Sequence, residues 1–328
     1  MTILVTGSAG HLGEALMRKL RAAGRSAVGI DIKPSPFTDH VGSINDRDFI
    51  RHRMPHVQAV IHTATLHKPH VVTHPPQDFI DTNITGTLVL LEEAVAAGVA
   101  SFVFTSTTST FGAALTPAPG LPAAWITEDV APIPKNIYGV TKLSAEHLCQ
   151  LFFRKRRLPA VVLRTSRFFP EPDDSIDMRS GYVTANAQAN ELLYRRLDIE
   201  DAVDAHLLAV ERAPDIGFGR YILSATTPFS ETDLAELRRD APGVVQRLFP
   251  EAASLYAARG WRMFPQLDRV YVNSLARAEL GWQPRYDFGG ALAAMASGGE
   301  FRSALAEAVG SKGYHDRVFE DGPYPVSG

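Results

Sequence analysis

A strand that runs directly into a glycine-spaced turn and then a helix admits few folds, and this chain begins with one. Thr2–Thr6 is a short apolar run, Thr6-Gly7-Ser8-Ala9-Gly10-His11-Leu12-Gly13 follows it, and apolar residues at helical spacing continue to about Ala23. In such a unit the first glycine permits the tight turn, the second lets a pyrophosphate approach the backbone, and the third packs helix on sheet. Amide groups at the helix start then meet the phosphate charge. Gly7, Gly10, His11, Leu12 and Gly13 are the expected phosphate-binding residues. Asp31 ends the second strand, 18 residues after Gly13, where a carboxylate accepts both ribose hydroxyls and repels a 2′-phosphate. Lys33 follows two positions on, with no arginine directly after Asp31, so NAD is favoured over NADP.

Downstream, short apolar runs alternate with longer helical patterns, which predicts βαβ units and a parallel sheet. Strands are expected at Ser26–Ile30, around His40–Ile44, and at Val57–Thr63, Ala100–Ser106 and Ala160–Thr165, with helices at Phe79–Ala97 and Lys135–Arg156. After Thr165 the pattern turns irregular, then resumes with a helix at Asp198–Arg212 and a strand at Arg220–Leu223. Beyond these come short helices at Glu231–Asp240, Ser274–Leu280 and Ala291–Ala296. The expected class is α/β: a Rossmann-type doubly wound parallel sheet with a smaller, interleaved C-terminal substrate lobe. Residues 1–165 form the NAD-binding domain, to which 198–212 and 220–223 return, and 166–328 form mainly the substrate lobe.

Tyr138-Gly139-Val140-Thr141-Lys142 places a phenol and an ammonium four residues apart on the helix before the Ala160 strand, one turn apart on one face. An ammonium near a phenol favours the phenolate and so proton exchange near neutral pH. With the glycine loop upstream, the chain resembles the extended short-chain dehydrogenase/reductases, in the epimerase/dehydratase branch that includes UDP-galactose 4-epimerases. Further segments carry the resemblance: Ala59-Val60-Ile61-His62-Thr63-Ala64, Asn83-Ile84-Thr85-Gly86-Thr87, the Ser/Thr-rich Phe104–Gly112, Glu128-Asp129 with Pro132, Asp198–Ala202, and Leu280-Gly281-Trp282 before Pro284. The resemblance implies Thr107 as the group that hydrogen-bonds the reacting oxygen, Tyr138 as acid/base, and Lys142 as holder of the nicotinamide ribose. It implies Ile32, Ser43, Ile44, Thr63, Ala64 and His67 beside the cofactor, with Asn83 either ordering the site or capping its helix. Thr108, Arg167, Phe168 and Arg196 are the expected substrate-side residues, and a homodimer through the helices at Phe79–Ala97 and Lys135–Arg156 is implied as well.

Departures narrow the chemistry. Thr108 and Ser109, not carboxylates, follow Thr107, which argues against a 4,6-dehydratase. The run Arg164-Thr165-Ser166-Arg167-Phe168-Phe169-Pro170 has arginine where relatives usually carry asparagine, and the stretch from there to Arg196 is short, which implies a smaller or differently held substrate. Arg167, Arg179, Arg195 and Arg196 have the fork geometry that grips phosphate or carboxylate. Three readings stand: a redox-neutral epimerase of a sugar or nucleotide sugar, a dehydrogenase of a smaller hydroxy compound that releases NADH, and a catalytically silent NAD-binding protein.

Composition excludes other classes. A net charge of −3 provides no basic surface for nucleic acid, and the basic run Arg154–Arg157 closes a helix, where cations suit the dipole. One cysteine, Cys149, allows no internal disulfide framework, and the histidines from His52 to His74 lack the paired spacing of metal ligands, so no metal is expected. No run approaches the roughly 18 apolar residues of a membrane span, and Met1–Val5 reads as a strand rather than a signal segment, so a cytoplasmic location is the expectation.

Overall fold

A parallel sheet must bury both faces, so its strands need helices on either side. The computed structural model describes residues 1–168, 172, 173, 175–313, 315 and 319; Phe169 and Pro170 of the expected substrate stretch lie outside the described residues. The strands are β1 (Thr2–Thr6), β2 (Ala27–Asp31), β3 (His40–Val41), β4 (Val57–His62), β5 (Ser101–Thr107), β6 (Ala124–Ile126), β7 (Ala160–Thr165), β8 (Arg167–Phe168), β9 (Arg196–Leu197), β10 (Phe218–Leu223) and β11 (Arg269–Tyr271). Seven of them form one parallel sheet in the order β10-β7-β5-β4-β1-β2-β3. Register aligns Val5 with Ile61, Val103 with Val161, and Leu163 with Tyr221.

Helices α1 (His11–Ala22), α2 (Arg47–Arg51), α3 (Pro76–Phe79), α4 (Gly86–Ala96), α5 (Ile137–Arg156), α6 (Ile176–Gly181), α7 (Thr184–Glu191) and α8 (Ile199–Ile216) accompany the strands. Side chains alternate along each strand, so Ile3, Val5, Ile61, Val103 and Leu163 pack with α1 and α8. Leu4, Val60, Phe102, Phe104 and Val162 pack with α2, α4 and α5 on the other face. Each such fully buried side chain contributes about 1.5–3 kcal/mol.

The later chain adds α9 (Leu234–Leu237), α10 (Ala241–Leu248), α11 (Ala252–Ala257), α12 (Ser274–Leu280), α13 (Phe288–Ala296) and α14 (Ala304–Val309). Their apolar faces join the α1/α8 core rather than forming a separate one. Trp282 is buried and donates to the Asp201 carbonyl at 3.0 Å, while the Asp201 carboxylate accepts from the Arg285 and Tyr286 amides. The Leu280-Gly281-Trp282 segment thereby fastens the later chain to α8. Two small parallel pairs, β6 with β11 and β8 with β9, stitch distant segments together.

Several expected elements change. The helix over Phe79–Ala97 starts earlier, at Pro76, and changes its winding: a π-helical stretch over Ile80–Thr85 links α3 to α4. That wide turn, of the kind common at functional sites, carries Asn83 inward. The helix at Lys135 begins instead at Ile137, because the Asn136 side chain accepts from the Gly139 amide at 3.0 Å and caps it. Helix α8 continues past Arg212 to Ile216 despite Pro214. Helix α10 starts with Pro242 in its first turn, where no donor is missed. The short strands β6, β8, β9 and β11 carry no readable periodicity of their own.

One buried histidine gives the fold a pH signature. His206 on α8 bonds the Ala202 carbonyl through Nδ1 (2.7 Å) and the Thr105 hydroxyl through Nε2 (2.8 Å). Burial pulls its pKa down to about 4. The folded state therefore refuses a proton that the unfolded chain takes near pH 6.5, so this contribution is whole above pH 6.5 and is lost as pH falls toward 4. Urea unfolding of wild type and His206→Gln should show the wild-type advantage shrinking by about 2 kcal/mol between pH 6.5 and 5. An advantage that stays constant over that range would show that His206 does not hold its neutral form in the fold.

Candidate active site

The C-terminal ends of β1, β2, β4, β5 and β7 open into one cleft of about 1490 Å³, where open parallel sheets bind ligands. Its floor is the glycine loop. Gly7 has φ +73° and its amide donates to the Ile30 carbonyl at 2.8 Å. A Cβ at Gly7 would stand 2.7 Å from the Ala64 nitrogen, one at Gly10 3.1 Å from the Gly7 oxygen, and one at Gly13 1.9 Å from that same oxygen. No side chain caps α1, so the positive end of its dipole is left for an anion. This bare cradle fits a dinucleotide pyrophosphate. His11, Leu12, Ile32, Ser43, Ile44, Thr63, Ala64 and His67 also border the cleft.

The Asp31 carboxylate accepts from the Ala9 amide at 3.0 Å and the Lys33 amide at 2.9 Å. Each oxygen is thereby aimed and keeps a lone pair for a ribose hydroxyl. Thr63 donates to the Thr6 carbonyl at 2.7 Å, and Thr6 Oγ1 accepts from the Ala64 amide at 3.2 Å, which fixes the loop after β4 against the glycine turn. His67 lies 6.0 Å, ring to ring, from Tyr138, and burial lowers its pKa to about 3.

Of the two roles expected for Asn83, the hydrogen bonds match ordering of the site rather than a helix cap. The residue is buried and does not border the cleft; it accepts from Thr65 Oγ1 (2.8 Å) and the Leu66 amide (2.9 Å) and donates to Thr141 Oγ1 (3.0 Å). It orders the Thr65–Leu66 loop against α5.

Thr107, Tyr138 and Lys142 all line the cleft, supplied by the end of β5 and the first turns of α5. The Thr107 hydroxyl lies beside the Tyr138 phenol and favours its ionised form. Thr107 Oγ1 also accepts from the Ser109 amide at 3.1 Å, so it caps the turn and faces Tyr138 at once. Neighbouring Ser106 turns away and donates to Glu146 at 2.6 Å. Lys142 Nζ stands 4.2 Å over the Phe104 ring.

Burial pushes the Tyr138 phenol up to about 12, partly offset by the Thr107 hydroxyl beside it. Burial likewise lowers the Lys142 ammonium to about 7, against the pull of Glu146. Desolvation thus disfavours the charged form of both groups.

Beyond Thr107, Tyr138 and Lys142 the cleft is bounded by Thr108, Arg167 and Phe168, and by Tyr194, Arg195, Phe264 and Arg269. Arg167 pairs with Asp173, and Arg179 donates to the Asp173 carbonyl at 2.9 Å. The expected substrate-side Arg196 is a correction: it is fully buried, does not border the cleft, and bonds Glu191 at 2.6 Å and the Phe168 carbonyl at 3.0 Å. Its neighbour Arg195 borders the cleft and donates to the same Glu191 carboxylate at 2.5 Å. The double arginine was visible in the sequence; which of the two faces the cleft was not. Among the described residues no three His, Cys, Asp or Glu side chains are grouped to hold a metal ion, and no helix is long and apolar enough to cross a membrane.

The model of the NAD dependent epimerase/dehydratase family matches residues 3–219. The UDP-glucose 4-epimerase of Rhizobium meliloti is 28% identical over 87% of this chain and 93% of its own length. That of Streptomyces lividans is 28% identical over 96% of this chain and 98% of its own. A 30% match to an uncharacterized protein of Sinorhizobium fredii spans half of this chain and 40% of that protein. Among solved structures, a short-chain dehydrogenase/reductase superfamily protein from Agrobacterium tumefaciens with bound NAD superposes with TM-score 0.64 at 22% identity, over 90% of this chain and 96% of that one. The UDP-glucose 4-epimerase of Thermotoga maritima with UDP-glucose gives 0.62 at 23%, over 89% and 96%. At these identities the structural likeness establishes the fold.

Proposed function

This chain belongs to the NAD dependent epimerase/dehydratase family, and from that premise we propose that it is an NAD-using epimerase acting at a carbinol carbon of a sugar nucleotide. The observation that carries the proposal is that Thr107, Tyr138 and Lys142 line the same cleft as the glycine loop, Lys142 one turn along α5 from Tyr138. Gly7, Gly10, His11, Leu12 and Gly13 hold the pyrophosphate, Asp31 the adenosine ribose, and Lys142 the nicotinamide ribose. NAD in its oxidised form supplies a hydride acceptor and a positive charge beside Tyr138, and that charge favours the phenolate. Thr107 fixes the reacting oxygen by a hydrogen bond, and Tyr138 takes the hydroxyl proton on oxidation and returns it on reduction. The buried walls around Tyr138 exclude water from the ketone between those two events.

The test is to supply UDP-galactose and follow UDP-glucose by NMR while counting NAD per subunit. Conversion with cofactor retained supports the proposal. Net NADH release with no epimer, on a free sugar or hydroxy acid, supports a dehydrogenase instead. One observation favours that second reading: β8 pairs directly with β9, and among the described residues between them the helices are the short α6 and α7.

We also propose that two copies pair through α4 and α5. Ile80 is exposed in the π-helical stretch that leads into α4, and Val140 and Leu151 are exposed on the neighbouring α5. Light scattering should give twice the chain mass, and a single-chain mass would sink this pairing.

A further inference from the structure

Two phenols on the wall of the cleft are left without partners by the fold. Tyr194 and Tyr271 both border the cleft and are only 5% and 4% exposed. Neither hydroxyl makes a hydrogen bond among the described residues, and neither oxygen is sealed from solvent. A tyrosine hydroxyl this deep ordinarily finds a partner, because a desolvated donor that bonds nothing is destabilising.

Two guanidinium groups stand beside them. Arg195 borders the cleft and donates through one terminal nitrogen to Asp173 at 2.9 Å and Glu191 at 2.5 Å, while its buried Nε has no hydrogen-bond partner among the described residues. Its guanidinium carbon lies 5.3 Å from the centre of the Tyr194 ring. Arg269 also borders the cleft; Asp268 lies 3.1 Å from its Nε, and its two terminal nitrogens make no hydrogen bond among the described residues. Backbone geometry brings the four together. Arg269 and Tyr271 are two residues apart on β11, so their side chains leave the same face. The Tyr271 amide donates to the Tyr194 carbonyl at 3.0 Å, which ties β11 to the chain entering β9. Tyr271 also packs with Phe111 and Leu115, and Phe111 closes the turn that Thr107 caps. The donors therefore lie against the turn that carries Thr107.

Charge selects what fits there. Burial holds the Tyr194 phenol well above its usual range, so it stays protonated and able to donate. Guanidinium groups and protonated phenols gathered on one wall recognise an anion. Asp173 beside Arg195 and Asp268 beside Arg269 already offset part of the positive charge, which suits a single negative charge rather than the two of a pyrophosphate.

We propose that Tyr194, Arg195, Arg269 and Tyr271 bind a carboxylate carried by the reacting sugar, so that the preferred substrate is a nucleotide-linked sugar acid. This rests on the sugar-nucleotide epimerase reading above, with Thr107 marking the reacting carbon. A neutral hexose leaves the four donors without an acceptor, so UDP-galactose and UDP-glucose are the weaker ligands.

The test is titration calorimetry on the full chain loaded with NAD, with UDP-glucuronate and UDP-glucose as the two ligands. UDP-glucuronate should bind about tenfold more tightly or better. Arg269→Met should bring that ratio below roughly threefold by weakening UDP-glucuronate far more than UDP-glucose. Tyr271→Phe removes only an oxygen without a protein partner, so it should melt within a few degrees of wild type and still lower the ratio about threefold or more. Equal binding of the two ligands by wild type overturns the proposal. Equal weakening of both by Arg269→Met also overturns it, because the group held would then be the diphosphate that both share. If neither nucleotide binds, the sugar-nucleotide reading fails by itself, and free glucuronate against free glucose decides the carboxylate site on the same tenfold criterion. If Arg269→Met does not fold, Tyr271→Phe decides alone, and an unchanged ratio overturns the proposal.

Discussion

Tyr138→Phe should cut UDP-galactose turnover by about a thousandfold while leaving NAD content per subunit and thermal stability close to wild type. The phenol oxygen is the atom removed, and the ring stays in a pocket where the residue is only 5% exposed. The neighbouring Thr107 hydroxyl keeps its bond from the Ser109 amide. No buried carbonyl or charge is orphaned, so the loss falls on proton transfer rather than on folding. Stopped turnover with unchanged NAD content would separate chemistry from cofactor binding. Unchanged turnover would remove Tyr138 from the acid/base role and move attention to His67, whose ring lies 6.0 Å away.

Glu146→Gln should lower the free energy of unfolding by about 3–5 kcal/mol. Glu146 is fully buried one turn beyond Lys142. It accepts from Ser106 Oγ at 2.6 Å and from Arg164 at 3.0 and 2.7 Å, with Arg220 Nε 3.3 Å away. Ser106 precedes Thr107 and Arg164 precedes Thr165, so one carboxylate joins α5 to the ends of β5 and β7. The amide cannot balance the Arg164 guanidinium, which is left charged with a side chain 3% exposed. Urea unfolding measures the loss, and Glu146→Met/Arg164→Met should recover much of it because both charges leave together. A single variant as stable as wild type would mean that this pair does not hold the three elements together.

Local patterns explain what was readable. The β1–glycine loop–α1 unit, strand β7 over Ala160–Thr165 and the Tyr138/Lys142 pair each depend on contacts within a few residues, so periodicity and spacing encode them. Trp282 was legible as part of a family segment, and its bond to Asp201 gives that segment a physical purpose.

The rest depended on partners far away in the chain. Asn83 looks alike in sequence whether it caps a helix or orders a loop; the π turn and Thr141 decided for the loop. Adjacent arginines at 195 and 196 are equivalent in sequence, and only tertiary packing around Glu191, which bonds both, left Arg195 at the cleft and buried Arg196 fully. The acidity of Tyr138 follows from how much water its neighbours exclude, which four-residue spacing does not specify. Lys312 lies 298 residues from Glu14, and no local signal announces a pair across that distance. The sequence by itself determined the dinucleotide-binding frame and the reactive pair, because backbone geometry and side-chain spacing are local. Tertiary structure alone decided which side chains face the cleft and how burial sets their charge, because facing and desolvation are properties of packed neighbours.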